Sequence, residues 1–393
     1  MSQSKPNLLF SPGPTLVSPR TLQILSQPTG HHRTAEFQAQ FRQVLDLLKK
    51  LYQNQEGHVF CLTSTGTGAM EASVINFLNA SEKVLYYNAG KFGERWGQLA
   101  RCYGLETHEL KQEWGQTFPL ESFEQLLKTE KFSAFFLQAC ETSTATYQPL
   151  AEISVLLKKY QPDCLLVVDG ITAVGAYDLP MDQLGIDILV SGSQKALGLP
   201  TGLAFLGASP RALTKMLSVT QPRFYFDLRA EKKANDQDTT NFSTPVAQIL
   251  ALKFKLEFLF TQGLQKYFLK TQALQESTLH FLKDFGCSIY SQSPSPSLTA
   301  FGLPQGSPTE AFQKHLKADG LYLAGGQDHL KGHVLRWGHM GDILIQEQIK
   351  AYKIFATHIA PLLSMTPSQS LELVDQHASR LQTQTLIDEC YPQ

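Results

Sequence analysis

Apolar runs of strand length alternate with helical patterns along the first half of the chain, and this alternation constrains the fold more than any other feature. Strand-like runs fall at 58–62, 83–87, 105–109, 133–138, 164–169, 186–190 and 202–206; helical spacing appears at 67–79, 90–103, 121–128 and 149–160. Strands separated by helices predict an α/β fold, a mostly parallel sheet with helices on both faces. In such sheets ligands bind beyond the carboxyl ends of the strands. The residues that follow each run are therefore the ones to read for chemistry.

Three of those loops carry reactive or anion-binding groups. Ser191-Gly192-Ser193-Gln194-Lys195-Ala196-Leu197 follows the run 186–190 and puts a lysine just past a strand end. A lysine shielded from water there gives up some of its preference for charge, so its amine can attack a carbonyl. Alone, the tripeptide Ser-Gln-Lys reads first as a solvent loop. Cys164-Leu165-Leu166-Val167-Val168-Asp169 is an apolar run ending in a carboxylate, which is costly to bury without a positive partner. Capping of the next helix is the plainer alternative. Thr63-Ser64-Thr65-Gly66-Thr67-Gly68-Ala69 opens a helical pattern, and hydroxyls and glycines at a helix N-terminus make a cradle for an anion. It lacks the Gly-Lys-Thr ending of a P-loop, and no GxGxxG follows the strand. Cradle, carboxylate and lysine, each after its own strand, match what pyridoxal 5'-phosphate requires: a phosphate site, a carboxylate for the pyridinium nitrogen and a lysine for a Schiff base.

In this order the loops resemble those of the class V, fold-type I pyridoxal-phosphate aminotransferases of the alanine–glyoxylate and serine–glyoxylate (serine–pyruvate) kind. That group includes relatives labelled soluble hydrogenase small subunit. The resemblance runs from Leu8 to about Pro361 and includes the opening Ser11-Pro12-Gly13-Pro14. It implies a large domain with a seven-stranded, mostly parallel sheet sandwiched by helices, plus a smaller α+β C-terminal domain. It further implies that Thr65, Gly66, Thr67 and Gln194 help hold the cofactor, and that Phe92 in Asn88-Ala89-Gly90-Lys91-Phe92-Gly93 stacks on the pyridine ring. Many relatives carry Trp at that position; Phe keeps the stacking face and loses the indole N–H. Ile171 is expected beneath the ring. Thr142, in Cys140-Glu141-Thr142-Ser143-Thr144-Ala145, is expected near its phenolic oxygen, with Ala145 crowding the place of a family glycine. Arg336, in His333-Val334-Leu335-Arg336-Trp337-Gly338, is expected to clamp the substrate α-carboxylate. Thr240 and Ser243 are expected to cross a homodimer interface to the partner's cofactor phosphate.

Composition excludes other classes. The formal net charge is −1, which gives no electrostatic case for nucleic acid or an anionic membrane surface. No apolar run reaches membrane-spanning length, and residues 1–6 lack a signal-peptide core. The cysteines at 61, 102, 140, 164, 287 and 390 show no CxxC pair and read as free thiols of a cytoplasmic protein. Without clustered cysteines there is nothing to hold an iron–sulfur cluster. Adjacent His31 and His32 cannot share a helix face and have no third ligand, so no metal site is expected.

The remaining chain divides as follows. Residues 1–17 read as an extended arm, which the resemblance implies reaches across a dimer, 18–262 as the large domain, 263–365 as the small domain and 366–393 as a tail. In the small domain, helices are expected at 264–284, 308–318 and 343–364, and strands near 286–290, 297–303 and 333–337. Asp227 to Asn241 has many charges and no period; 371–384 reads as a mobile tail or a short packed helix. The implied reaction moves an amino group from alanine or serine to glyoxylate or pyruvate by a ping-pong route, with Lys195 as base and Asp169 holding the ring nitrogen protonated. Aminoethylphosphonate and phosphoserine transaminases remain alternatives, with Lys91 and Arg95 as available cations. A cysteine desulfurase is disfavoured, because the loop Leu323 to His329 carries no cysteine. A non-catalytic partner protein on this scaffold need not keep Lys195, Asp169 and Arg336 together.

Overall fold

The computed structural model describes residues 8–383 and 388. Its main sheet has seven strands: β1 (His58–Ser64), β2 (Lys83–Asn88), β3 (Glu106–Lys111), β4 (Ala134–Gln138), β5 (Leu165–Asp169), β6 (Ile188–Gly192) and β7 (Gly202–Ala208). Their order across the sheet is β1-β7-β6-β5-β4-β2-β3. Neighbours run parallel except at β7, which pairs antiparallel with both β1 and β6. Every residue of β4, β5 and β6 is buried, as their unbroken apolar runs require. Side chains alternate between faces: Leu166 and Val168 enter one core, Leu165 and Val167 the other.

Helices cover both faces. Ahead of the sheet lie α1 (Pro19–Leu25) and α2 (Ala35–Tyr52), which turns Phe37, Phe41, Val44, Leu45, Leu48 and Leu51 inward. Between the strands come α3 (Gly66–Phe77), α4 (Lys91–Cys102), α5 (Leu120–Thr129) and α6 (Leu150–Tyr160). Beyond β7 follow α7 (Pro210–Ser218), α8 (Leu228–Asn235) and α9 (Val246–Gln262). Helix α9 meets α10 (Leu264–Asp284) at Gly263, whose φ of +93° suits glycine.

The second sheet is antiparallel: β8 (Ser288–Ile289), β9 (Leu298–Gly302), β10 (Ala324–Gly325) and β11 (Leu335–Gly338), ordered β8-β9-β11-β10. It packs with α10, α11 (Thr309–Ala318), α12 (Ile345–Ile359) and α13 (Pro367–Gln382) around Phe281, Phe301, Trp337, Tyr352 and Phe355. The rings of Phe281 and Tyr352 stack 4.0 Å apart.

Several elements depart from expectation. The helix expected over 343–364 stops at Ile359 and continues as a single 3₁₀ turn, Ala360–Leu363, containing Pro361. The aperiodic segment after Asp227 contains α8. Asp227 caps it, and its buried Glu231 accepts from Asn235 and from the Asn241 amide, so polar bonds replace an apolar stripe. The tail packs as α13, with Thr366 and Gln369 forming a capping box and His377 bonding Asp284 at 2.9 Å. Cys390 and residues 1–7 lie outside the described residues. At the start of the described part of the N-terminal arm, Leu8 and Leu9 pair in parallel with Leu321 and Tyr322 of the same chain. Among the described residues no helix is long and apolar enough to cross a membrane.

Candidate active site

The three strand-end loops converge with residues of the second sheet. Beyond β6, Ser193 donates its hydroxyl to the Pro200 carbonyl at 2.7 Å and accepts from the Leu203 amide at 3.3 Å, which fixes the start of the lysine loop. Lys195 Nζ donates to the Pro12 carbonyl at 2.6 Å. Thr15 clasps the same loop: its amide bonds Gln194 O at 3.1 Å and its hydroxyl bonds Lys195 O at 2.8 Å. Gly13 explains how the arm comes so close. A Cβ there would stand 2.3 Å from Lys195 Nζ, and its φ is +120°. Burial pushes the Lys195 amine down to about 8; Arg336 and Arg95 act in the same direction and Asp169 opposes them.

Asp169 ends β5, and its Oδ1 accepts from the Ile171 amide at 2.8 Å. Burial pushes its carboxyl up to about 6, assisted by Glu141, while the Ile171 amide, Arg95 and Lys195 pull the other way. The cradle lies at the end of β1. Thr65 is the extended residue before α3 and its side chain makes no cap bond; the Gly68 amide bonds Thr65 O at 2.9 Å, while the Gly66 and Thr67 amides keep no intrahelical acceptor. Gly66 is pressed on Ile171: a Cβ there would fall 2.5 Å from Ile171 Cδ1. Thr67 Oγ1 accepts from Arg95 Nη1 at 3.1 Å.

Glu141, quoted only as part of a loop by the sequence reading, organises the other wall. It is fully buried and accepts from the amides of Phe92 (3.3 Å), Gly93 (3.0 Å) and Ser143 (3.1 Å), the Ser143 hydroxyl (2.5 Å) and Gln138 Nε2 (2.9 Å). A carboxylate at the N-terminus of α4 complements the helix dipole and sets the place of Phe92. Burial nonetheless pushes the Glu141 carboxyl upward, against those hydrogen bonds. Thr142 shares a hydroxyl bond with Thr172 at 2.9 Å. Ala145 stands at φ +60°, where the family glycine would carry no penalty.

Arg336 comes from β11. Its Nε donates to Gly325 O at 3.0 Å and its Nη1 to Thr142 O at 3.1 Å and to Gln327 Oε1 at 3.3 Å. All three acceptors are neutral, and burial lowers its pKa to about 10. The guanidinium thus retains its charge for an anionic ligand, and Gln327 is the acceptor on a side chain that can turn aside.

Thr240 and Ser243 are placed apart. Thr240 donates to Phe242 O at 2.7 Å, and with Ser243 it lines a small recess beside Thr63, Tyr225 and Phe242. Arg33, next to the paired histidines, holds this loop through Thr239 Oγ1 at 2.6 Å and Thr240 O at 2.7 Å. Among the described residues no three His, Cys, Asp or Glu side chains are grouped to hold a metal ion. A cavity of about 420 Å³ around Asp187 and Arg211 lies at the opposite, amino-terminal edge of the sheet. Asp187 there is bound by Arg211, Ser209 and the Leu166 amide, which makes it structural.

The residues gathered around Lys195 fit pyridoxal phosphate. The Gln194 Oε1 is buried without a partner beside the lysine, Asp169 is a buried carboxylate with no ion pair among the described residues, and the Gly66 and Thr67 amides are open to an anion. The comparisons agree. The family model for aminotransferase class V matches residues 9–338. The soluble hydrogenase small subunit of Synechococcus sp. strain PCC 6716 is 36% identical over 90% of this chain and 93% of its own. The serine–glyoxylate aminotransferase of Hyphomicrobium methylovorum is 31% identical over 90% and 89%. Among solved structures, an aspartate aminotransferase from Thermus thermophilus superposes with a TM-score of 0.85 at 30% identity, covering 90% of this chain and 99% of that one. With its fold and its strand-end loops, this chain belongs to the class V aminotransferases, a pyridoxal-phosphate-dependent family of transaminases.

Proposed function

We propose that this transaminase moves an amino group from a small L-amino acid, alanine or serine, to a small 2-oxo acid, glyoxylate or pyruvate. The observation that carries the reading is the meeting of Lys195, Asp169 and Arg336, which two sheets bring within electrostatic reach of one another. Pyridoxal phosphate bound there would supply an electron sink beside the substrate Cα and a carrier for the amino group between the two halves of a ping-pong cycle. Thr65, Gly66, Thr67 and Gln194 would hold its phosphate, Phe92 and Ile171 its two ring faces, Thr142 its phenolic oxygen and Asp169 its ring nitrogen.

Arg336 receives the α-carboxylate when Gln327 turns aside, and this orients the Cα–H toward Lys195. The Lys195 amine, already lowered to about 8, is a base of useful strength near neutral pH and carries that proton. The arm residues Pro12 and Gly13 cover the lysine and exclude water from its amine.

The remaining assignments belong to the same proposal. Residues 18–262 and 263–365 act as two domains, supported by their separate cores. A homodimer with Thr240 and Ser243 serving the partner's site is supported by the exposed aromatics Phe224 (81%) and Tyr225 (49%) next to that loop. The test is the absorbance of protein loaded with pyridoxal phosphate, followed as L-serine or L-alanine is added and then glyoxylate. Bleaching of the visible band by the amino acid and its return with glyoxylate are expected. A band unchanged by either donor refutes the substrate assignment.

A further inference from the structure

Arg95 is a cation the reaction outlined above leaves unused. It is the fifth residue of α4, three residues after Phe92. Its guanidinium lies 5.0 Å from the centroid of the Phe92 ring, and its Nη1 donates to Thr67 Oγ1 at 3.1 Å. One side of this group is therefore the Phe92 ring, and the other is Thr67, the second residue of α3 and part of the anion cradle. Nearby carboxylates are engaged elsewhere: Glu94 with Lys91 at 3.2 Å, Glu141 with its ring of donors, and Asp169 with the Ile171 amide. Its charge is felt by both Asp169 and Lys195.

The cradle is short of charge. A phosphate ester is close to dianionic at neutral pH, whereas a helix N-terminus offers the equivalent of about half a positive charge. Gln194 and the threonine hydroxyls are neutral. A guanidinium on a long side chain, held only by one hydroxyl and a ring face, can turn to meet an anion in a two-point bond.

We infer that Arg95 is the side-chain counter-charge of the cofactor phosphate, leaving the Phe92 ring and the Thr67 hydroxyl when the phosphate enters the cradle. The inference rests on the proposed pyridoxal-phosphate site. Its rival is a role for Arg95 toward the distal carboxylate of a dicarboxylic amino acid, and the test separates the two.

The protein is stripped of cofactor and titrated with pyridoxal phosphate and with pyridoxal, which lacks the phosphate; binding is read from absorbance and tryptophan quenching. The wild type is compared with Arg95→Gln and Arg95→Lys. Since a hydrogen bond to a charged group is worth more than a neutral one, Arg95→Gln should weaken pyridoxal phosphate by roughly 10- to 100-fold. Pyridoxal should be weakened far less, only through the small rise in the Lys195 amine, and Arg95→Lys should restore part of the loss. Inorganic phosphate should compete with pyridoxal phosphate in the wild type and lose potency in Arg95→Gln. An equal loss for both aldehydes means Arg95 only supports the fold and overturns the inference. So does unchanged cofactor affinity with a raised KM for L-aspartate but not L-alanine. If the wild type captures neither aldehyde at Lys195, the site assignment itself falls.

Discussion

The amine of Lys195 should titrate near 8, and the direction in which two substitutions move it follows from the geometry. Burial is the largest influence, lowering it from the ordinary lysine value of 10.5 to about 8; Asp169 raises it and Arg336 lowers it. At pH 7.5 about a quarter of the amine is then neutral, against about 0.1% for an unperturbed lysine, a difference of roughly 200-fold in reactive species. The assay is the rate at which cofactor-free protein captures pyridoxal phosphate, measured by stopped-flow absorbance from pH 6 to 10. Deprotonation creates the nucleophile, so the rate rises with pH and is half-maximal near 8. Arg336→Leu removes a cation that disfavours the ammonium, and its midpoint should move up. Asp169→Asn removes an anion that favours the ammonium, and its midpoint should move down. A wild-type midpoint near 10.5, or two variants shifting the same way, would refute the placement of these charges around the lysine.

Other outcomes follow from the packing. Gly13→Ala puts a methyl 2.3 Å from Lys195 Nζ at a φ of +120°, so the arm should lift from the lysine; capture of pyridoxal phosphate should slow at least tenfold while the melting temperature changes little. Melting that falls as far as the rate would point to general unfolding instead. Lys255 and Asp342 form an ion pair with almost no solvent contact, where α9 faces the segment after β11. Asp342→Ala should cost about 3–5 kcal/mol in denaturant unfolding, and Lys255→Met with Asp342→Leu should recover most of it. Glu141→Gln keeps the shape but loses acceptor strength at the Phe92 and Gly93 amides, so it should weaken cofactor binding more than it lowers stability. The reverse ordering would show that Glu141 acts on the fold alone.

Much of this arrangement was legible in the chain itself, because its signals are local. The strands β4, β5 and β6 are buried at every residue, so each reads as an apolar run, and the groups at their carboxyl ends point to the cleft by topology alone. Asp169, Lys195 and the Thr65 cradle were found in that way. What escaped depends on contacts between distant segments. The cover of Pro12 and Gly13 on Lys195 spans 183 positions, and no local pattern signals it. The tie from Arg33 to Thr239 crosses 206. Helix α8 was hidden because Glu231 and Asn235 hold it by hydrogen bonds, which leave no hydrophobic period. Helix α1 could have been found: Ser18 before Pro19 is a helix start, and the Ser18 hydroxyl does cap the Thr21 amide. Glu141 gave one usable signal, a carboxylate just after an apolar strand, the same signal that singled out Asp169.

The central claim is that Lys195 is the residue that takes pyridoxal phosphate, and reduction with borohydride tests it most directly. Protein incubated with the cofactor is reduced, digested and analysed by mass spectrometry, with and without prior addition of L-serine. The expected result is one pyridoxyl-phosphate group per chain on the peptide carrying Lys195, absent from Lys195→Ala and lost when L-serine is added first. Label spread over surface lysines, or label that persists at one site in Lys195→Ala, would contradict it.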